Sequence, residues 1–216
     1  MIPKKIHHIW VGNTSIPDRF MSYIEMCYQL YTDYQFFLWD DKLVDDENII
    51  PNDLKPYYNN NFPPAFKADI LRYLIINKHG GLYFDTDFEP LKRIPDNFLN
   101  FDFLGAIQNN GEIAIGFFGA NPHTTLLETV IKSIPDSIDF AKENAFFIPR
   151  EIYRITGPYF FNKLAKEYIK ENNYFFFTKE YFYPYWFGEK ERENENFKIT
   201  SPLSYAVHHW QSSWIH

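Results

Sequence analysis

The chain is expected to fold as an α/β sandwich with a mostly parallel central sheet, and three observations predict this class. Short runs rich in β-branched and aromatic residues, such as 6–11 and 113–120, alternate with stretches whose apolar residues recur at helical spacing. Glycines and prolines, notably Pro63-Pro64 and Gly80-Gly81, fall at the joins between those stretches. No internal repeat or linker-like segment divides the 216 residues, so one domain over 1–216 is expected.

Each element follows from its own pattern. Residues 5–12 read as a first strand, and 19–30 as a helix with Phe20, Tyr23, Ile24, Cys27 and Leu30 on one face. A second strand at 34–39 precedes an acidic, proline-punctuated connection. A helix over 65–78 stops at Gly80-Gly81, and a strand over 82–87 follows. Further strands are expected at 101–106 and 113–120, with a helix over 124–134. A helix at 159–171, a strand at 174–178 and an acidic loop at 189–196 complete the reading.

Composition excludes several classes. Hydrophobic residues make up 45% and charged residues 23%, a globular balance and not a disordered one. The net charge of −7 leaves no basic excess to neutralise phosphates, so nucleic acid is excluded as a bulk partner. A single cysteine, Cys27, rules out an intramolecular disulfide and fits a reducing compartment. No run reaches the about 18 apolar residues of a membrane span, and the N-terminus lacks the pattern of a secretion signal. A cytoplasmic location is therefore expected. Lys163, Lys166, Lys170 and Lys179 beside the aromatic run 175–187 leave peripheral contact at the inner face of a membrane open. A solvated helix face followed by a core strand is the preferred reading of that stretch.

The most informative segment is Gly80-Gly81-Leu82-Tyr83-Phe84-Asp85-Thr86-Asp87. Strand alternation would put Tyr83, Asp85 and Asp87 on one face and Leu82, Phe84 and Thr86 on the other. Two carboxylates at the carboxyl end of a strand suit a hard divalent cation with positions left for phosphate oxygens. The plain alternative is a pair of solvated turn aspartates. In the preceding helix, Arg72 is the only charge in the stretch 70–77, and Asp69 sits three residues earlier on the same face. Such a charge must be paired or must line a polar cavity. A structural ion pair and a pair of arms for sugar or ribose hydroxyls are equally compatible with the spacing. Trp10, by default a core residue, lies at a strand end where its ring could stack on a base. The tail 206–214 carries His208, His209, Trp210, Ser212, Ser213 and Trp214, a set that suggests a segment folded back over something.

Taken together, these residues resemble glycosyltransferase family 32, the DxD-containing sugar transferases that include bacterial capsular polysaccharide enzymes and the yeast mannan-initiating type. They are also distantly similar to the glucosyltransferase domains of large clostridial toxins. The match runs in order through 2–12, Ala68-Asp69-Ile70-Leu71-Arg72-Tyr73, the segment 80–87, Thr156-Gly157-Pro158, Phe182-Tyr183-Pro184 and the tail. The resemblance implies a GT-A-type, Rossmann-like α/β/α fold. It implies a retaining, Mn²⁺- or Mg²⁺-dependent transferase that takes its sugar from a nucleotide-diphosphate donor, UDP-sugar ahead of GDP-mannose. A glycan or lipid-linked oligosaccharide would be the acceptor, in surface polysaccharide synthesis.

Carried over residue by residue, Asp69, Arg72, Asp85 and Asp87 would form the catalytic set. Trp10, Val11, Asp69, Arg72, Tyr83, Asp85, Ser213 and Trp214 would bind the donor. Asp87, Asp85, Ser212 and a tail histidine, His209 by assignment, would hold the metal, although the motif alone does not choose between His208 and His209. Two rivals belong to other classes. Asp85 and Asp87 stand roughly 6–7 Å apart on an extended strand, within range of an inverting hydrolase pair, but their parallel orientation argues against that. A non-catalytic nucleotide-sugar-binding subunit is the second.

Overall fold

The computed structural model describes residues 1–12, 14–58, 62–146, 151–168, 170, 173–186 and 202–211. The expected acidic loop at 189–196, the end of the helix expected to reach 171, and Phe187, Ser212, Ser213 and Trp214 lie outside the described residues.

Strand β1 (Lys5–Ile9) is the axis of the first half. It pairs in parallel with β2 (Gln35–Trp39) on one side and β3 (Gly81–Phe84) on the other. Helix α1 (Asp18–Leu30) connects β1 to β2, and α2 (Asp41–Asp46) follows β2 with Asp40 as its N-cap. Helix α3 (Pro64–His79) leads into β3 through Gly80 and Gly81, both at positive φ. A Cβ on Gly81 would stand 2.7 Å from the Lys5 carbonyl oxygen, so only glycine lets β3 join β1 this closely. The order continues with β4 (Phe88–Pro90), β5 (Phe103–Ile107), β6 (Ile113–Ala120), α4 (Thr125–Glu143), α5 (Ile152–Ile155), α6 (Pro158–Tyr168), β7 (Tyr174–Phe177) and β8 (Ala206–His208).

Among the described residues the main sheet runs β2-β1-β3-β6-β5-β7, while β4 and β8 form a separate antiparallel pair. Every strand of the main sheet runs the same way except β6, which is antiparallel to both of its neighbours. The expected mostly parallel sheet is therefore present, with one reversal. Alternation along the strands feeds two cores. Tyr83, Phe103 and Phe118 pack towards α3, α4 and α6, and Leu82, Phe84, Leu104, Phe117 and Phe177 pack on the other face. Because α3 lies between sheet and helices, Ile70, Leu71, Tyr73, Ile75 and Ile76 are all buried.

Three expectations are corrected. The strand foreseen at 82–87 ends at Phe84, and the chain turns so that the Phe88 N–H donates to the Asp85 carbonyl, 3.2 Å away. The turn exists because Phe88 is buried in the second core and its strand pairs with the C-terminal β8. The helix foreseen over 124–134 continues through Pro135 to Glu143. Its buried stripe of Leu126, Leu127, Val130, Ile134, Ile138 and Ala141 outweighs a proline penalty of about 3 kcal/mol. The first strand stops at Ile9, so Trp10 to Gly12 belong to the loop beyond it. The aromatic run from Phe175 begins in a sheet strand whose rings pack at an angle against Phe98, Phe101 and Phe117, as the core reading expected.

His7 is fully buried in this frame. Its Nε2 faces the Gly80 carbonyl at 2.9 Å, and its Nδ1 accepts from Trp39 Nε1 at 3.0 Å, so it is a neutral imidazole. Burial lowers its pKa to about 3, and that of His8 to about 4. A depressed base stabilises the fold above its unfolded value near 6.5, and that stability is lost as pH falls towards the folded value. Each histidine should therefore contribute a slope of up to about 1.4 kcal/mol per pH unit to urea-unfolding stability between pH 6.5 and 4. His7→Phe should remove about half of their joint slope while lowering stability at pH 7 by roughly 1–3 kcal/mol, because Trp39 and Gly80 lose their partner. An unaltered acid slope in that variant would contradict the assignment.

Candidate active site

The site is assembled where β1, β3 and β6 present their loops at one edge of the sheet. Arg72 is its centre. Three helical turns of apolar packing drive α3 into the core, which carries Arg72 to 6% exposure, and the guanidinium meets partners on all sides. Its Nη2 lies 3.1 Å from Asp69 Oδ1, and its Nη1 lies 3.2 Å from Asp85 Oδ1. Nη1 also donates to the Ile115 carbonyl at 2.9 Å, and Nε donates to Ala68 at 3.1 Å. The Tyr83 ring faces the guanidinium carbon at 4.9 Å.

Ile115 is free to accept because β6 is bulged there. Gly105 pairs with Phe118, yet the next residue, Ala106, pairs with Ala114, so residues 115–117 have no counterpart on β5. The bulge also brings Gly116 against the aspartate: the Asp85 N–H donates to the Gly116 carbonyl at 2.8 Å. A Cβ at Gly116 would lie 2.7 Å from Asp85 Oδ2. Sequence reasoning missed Gly116. Its signal was a glycine inside an otherwise apolar strand, which marks a bulge or a close approach.

One cation therefore serves two carboxylates with different results. Burial raises the Asp69 carboxyl to about 6, with Arg72 and the Thr156 hydroxyl (3.2 Å from Oδ2) pulling the other way. Burial also opposes ionisation of Asp85, but Arg72, His208 and the Tyr83 hydroxyl more than offset it and hold Asp85 below the usual range. Asp85 is thus the firm anion of the pair.

Asp87 lies in the turn before β4, not on the strand face foreseen for it. Antiparallel pairing of β4 with β8 sets Phe88 opposite His208, and this register places the imidazole over the turn. His208 Nε2 is 3.1 Å from Asp87 Oδ1 and 3.7 Å from Asp85 Oδ2. The Gln211 N–H donates to Asp87 Oδ2 at 2.8 Å, and the His209 N–H donates to the Asp87 carbonyl at 3.1 Å. The tail does fold back, and what it covers is the carboxylate pair. Gln211 was not singled out by sequence.

The assignment of His209 to the carboxylate pair is corrected. A strand sends successive side chains to opposite faces, so His209 points away from its neighbour. Its Nε2 faces Glu89 Oε2 at 3.0 Å, its Nδ1 lies 3.2 Å from the Tyr185 hydroxyl, and its ring stacks on Tyr23 at 5.2 Å. His208 is the residue that closes the cluster.

Asp85, Asp87 and His208 offer ligand atoms that all lie within 4.8 Å of one another. Two carboxylates and an imidazole fit Mn²⁺ well, and fit Mg²⁺ less well because that ion prefers oxygen. Burial works against a charge on His208, but Asp87 and Asp85 outweigh it and raise its pKa to about 9. His208 Nε2 faces both aspartates, and ligation through that nitrogen would displace its proton.

A cavity of about 390 Å³ opens beside this cluster. Trp10, Val11, Tyr83, Asp85, Asp87 and Gln211 are among its walls. The Trp10 indole donates to the Thr14 carbonyl at 2.7 Å and meets Phe20 edge-on, which leaves a fixed ring at the cavity wall and not in the core. The structure thus brings Trp10, Val11, Asp69, Arg72, Tyr83, Asp85 and Asp87 to one place.

A family profile described as a glycosyltransferase sugar-binding region containing a DXD motif matches residues 17–104. An uncharacterised glycosyltransferase of Acanthamoeba polyphaga mimivirus is 31% identical over 187 residues, covering 80% of this chain and 68% of the relative. The chain belongs to the DXD glycosyltransferase family. A mannosyl phosphorylinositol ceramide synthase of Saccharomyces cerevisiae is 27% identical over 218 residues, covering 96% of this chain but only 50% of the yeast protein. The chain thus spans about half of that relative. Among solved structures, the PaToxG glycosyltransferase superposes with a TM-score of 0.60 at 15% identity, over 78% of this chain and 70% of its own. The GT-A-type fold expected from the motifs is therefore present. As a member of this family the chain is a glycosyltransferase, and the hydrolase and non-catalytic alternatives fall away.

Two outcomes test the geometry. Arg72→Met should cost about 3–5 kcal/mol in urea unfolding, because it leaves buried carboxylates without their cation. Adding Asp69→Asn and Asp85→Asn to that variant should recover part of the loss. Gly116→Ala should cost roughly 1–3 kcal/mol, from the clash with Asp85. It should also abolish any Mn²⁺-dependent rise in melting temperature; a full Mn²⁺ response would show that Asp85 tolerates the displacement.

Proposed function

We propose that this glycosyltransferase is metal-dependent and takes its sugar from a nucleotide-diphosphate donor. The observation that carries the reading is the shared cavity: Trp10, Asp85 and Asp87 all line it, and His208 lies against the two aspartates. The indole face is suited to stack on a nucleobase, and Val11 lines the same cavity. Asp85, Asp87 and His208 would hold Mn²⁺ or Mg²⁺, which when bound supplies electrostatic stabilisation to a departing diphosphate.

The rest of the chemistry belongs to protein groups. Asp69 would contribute to donor binding beside Arg72, and Tyr83 keeps Asp85 oriented through its own hydroxyl. Arg72 is tied to Asp69, Asp85, Ile115 and Ala68, so its role would be to hold Asp69 and Asp85 in position and to add positive potential beside the phosphates. No side chain stands out as a nucleophile, and positioning the acceptor hydroxyl against the anomeric carbon can supply much of the rate. Retention of anomeric configuration is part of the proposal and rests on the family.

A uridine donor is the first choice. GDP-mannose is the second, favoured by the mannosyl transfer named for the yeast relative. The acceptor is proposed to be a glycan or a lipid-linked oligosaccharide, and the place of action the cytoplasm or the inner face of a membrane. Among the described residues no helix is long and apolar enough to cross a membrane.

The test is a thermal-shift panel of UDP- and GDP-sugars with Mn²⁺, Mg²⁺ or EDTA. One nucleotide should raise the melting temperature only when a divalent cation is present, and Asp87→Ala should lose that increment. A shift that ignores EDTA, or an Asp87→Ala variant with full donor affinity, would overturn the metal assignment.

A further inference from the structure

We propose that Glu112, Tyr153 and Tyr159 form the site that receives a pyranose ring of the acceptor. The inference rests on the transferase reading above and adds the place and chemistry of the second substrate, which neither the family motif nor the relatives assign.

The position follows from strand order. Along the carboxyl edge of the sheet, Trp10 leaves β1, Asp85 leaves β3, and β6 begins at Ile113 on the far side of Asp85. A donor whose base lies at Trp10 and whose diphosphate lies at Asp85 and Asp87 extends its sugar towards β6. Gly116 contacts Asp85, and Glu112 is four residues upstream, at most about 13 Å along an extended chain. The same wall is tied to the buried end of the site through Thr156. Its hydroxyl donates to Asp69, its carbonyl accepts from Tyr73, and Tyr153 and Tyr159 flank it three residues to either side.

The chemistry is that of a sugar-binding surface. Tyr153 and Tyr159 are 40% and 50% exposed, with ring centroids 6.0 Å apart and planes inclined by 43°. Two exposed rings set at an angle give apolar faces on which the axial C–H groups of a pyranose can rest. Beside them, Glu112 Oε2 accepts from Asn110 Nδ2 at 2.8 Å, from Gln108 Nε2 at 3.4 Å and from the Tyr153 hydroxyl. Three donors on one oxygen fix the carboxylate, while Oε1 has no hydrogen bond among the described residues. A partly exposed carboxylate with one oxygen held and the other open is arranged to accept a sugar hydroxyl at Oε1. Neighbouring Asn162 bonds both the N–H and the C=O of Ile113, at 2.9 and 2.8 Å, which anchors the start of β6 below the platform.

The experiment is saturation-transfer NMR with methyl α-mannopyranoside, methyl α-glucopyranoside and methyl β-galactopyranoside at millimolar concentration, on the full chain without nucleotide. At least one glycoside should receive saturation from the tyrosine rings. Tyr159→Ala and Glu112→Ala should each weaken it at least tenfold. Tyr153→Phe, which keeps the ring but releases the carboxylate, should weaken it several-fold. Unchanged circular dichroism and melting temperature in Tyr159→Ala exclude unfolding as the cause. No saturation of any glycoside in the unaltered protein, equal binding in the variants, or binding of tetramethylammonium in place of the glycosides would overturn the proposal. Failure of the transferase reading is seen separately, as absence of a nucleotide-dependent thermal shift in the unaltered protein.

Discussion

The guanidinium of Arg72 is the constraint on which the site depends. A buried cation must be neutralised and its N–H groups must all be satisfied, and here the partners come from α3, β3 and β6 at once. Asp69 supplies one charge and Asp85 the other. The Ile115 carbonyl completes the set, and it is available only because β6 bulges away from β5 at that point. The helix, the strand end and the bulge are thus fixed relative to one another by one side chain. A shift in any of them would leave a charge or a donor unpaired in the protein interior.

A second layer depends on the first. With Asp85 held as an anion, the turn that follows brings Asp87 beside it, and the β4–β8 pair sets His208 over both. The C-terminal strand is therefore part of the site and not an appendage to the fold. His209, one residue on, serves a different purpose: through Glu89, Tyr185 and Tyr23 it fastens the tail to β4 and α1. Two adjacent histidines divide the work because a strand points them in opposite directions.

The electrostatics are those that the proposed divalent cation and anionic donor would require. Asp87 and Asp85 raise the pKa of His208, whose Nε2 faces both of them. Asp69 sits deeper, raised to about 6 by burial, and is suited to hydrogen bonding more than to cation binding. The carboxylates thus differ in character although Arg72 links Asp69 to Asp85 and His208 links Asp85 to Asp87. Their environment separates them, not their residue type.

How much of this was legible in the chain can be stated residue by residue. The alternation of apolar strands and helices, the Gly80-Gly81 stop and the apolar burial of α3 are local patterns, so fold class and most element positions could be read directly. Asp69, Arg72, Asp85 and Asp87 were legible because charges in apolar surroundings demand partners, and because spacing limits where those partners lie. The sequence could not reveal that the carboxylate strand ends at Phe84, since that depends on Phe88 finding the second core and on β4 finding β8 across more than a hundred residues. Nor could it choose His208 over His209, because the choice is the phase of a strand pairing. The bulge that frees Ile115 and admits Gly116 is likewise a matter of register between β5 and β6. The sequence by itself determined the sheet-and-helix architecture and the residue types of the site. The tertiary structure alone decided which of those residues meet, because long-range strand pairing sets the register and local propensity does not.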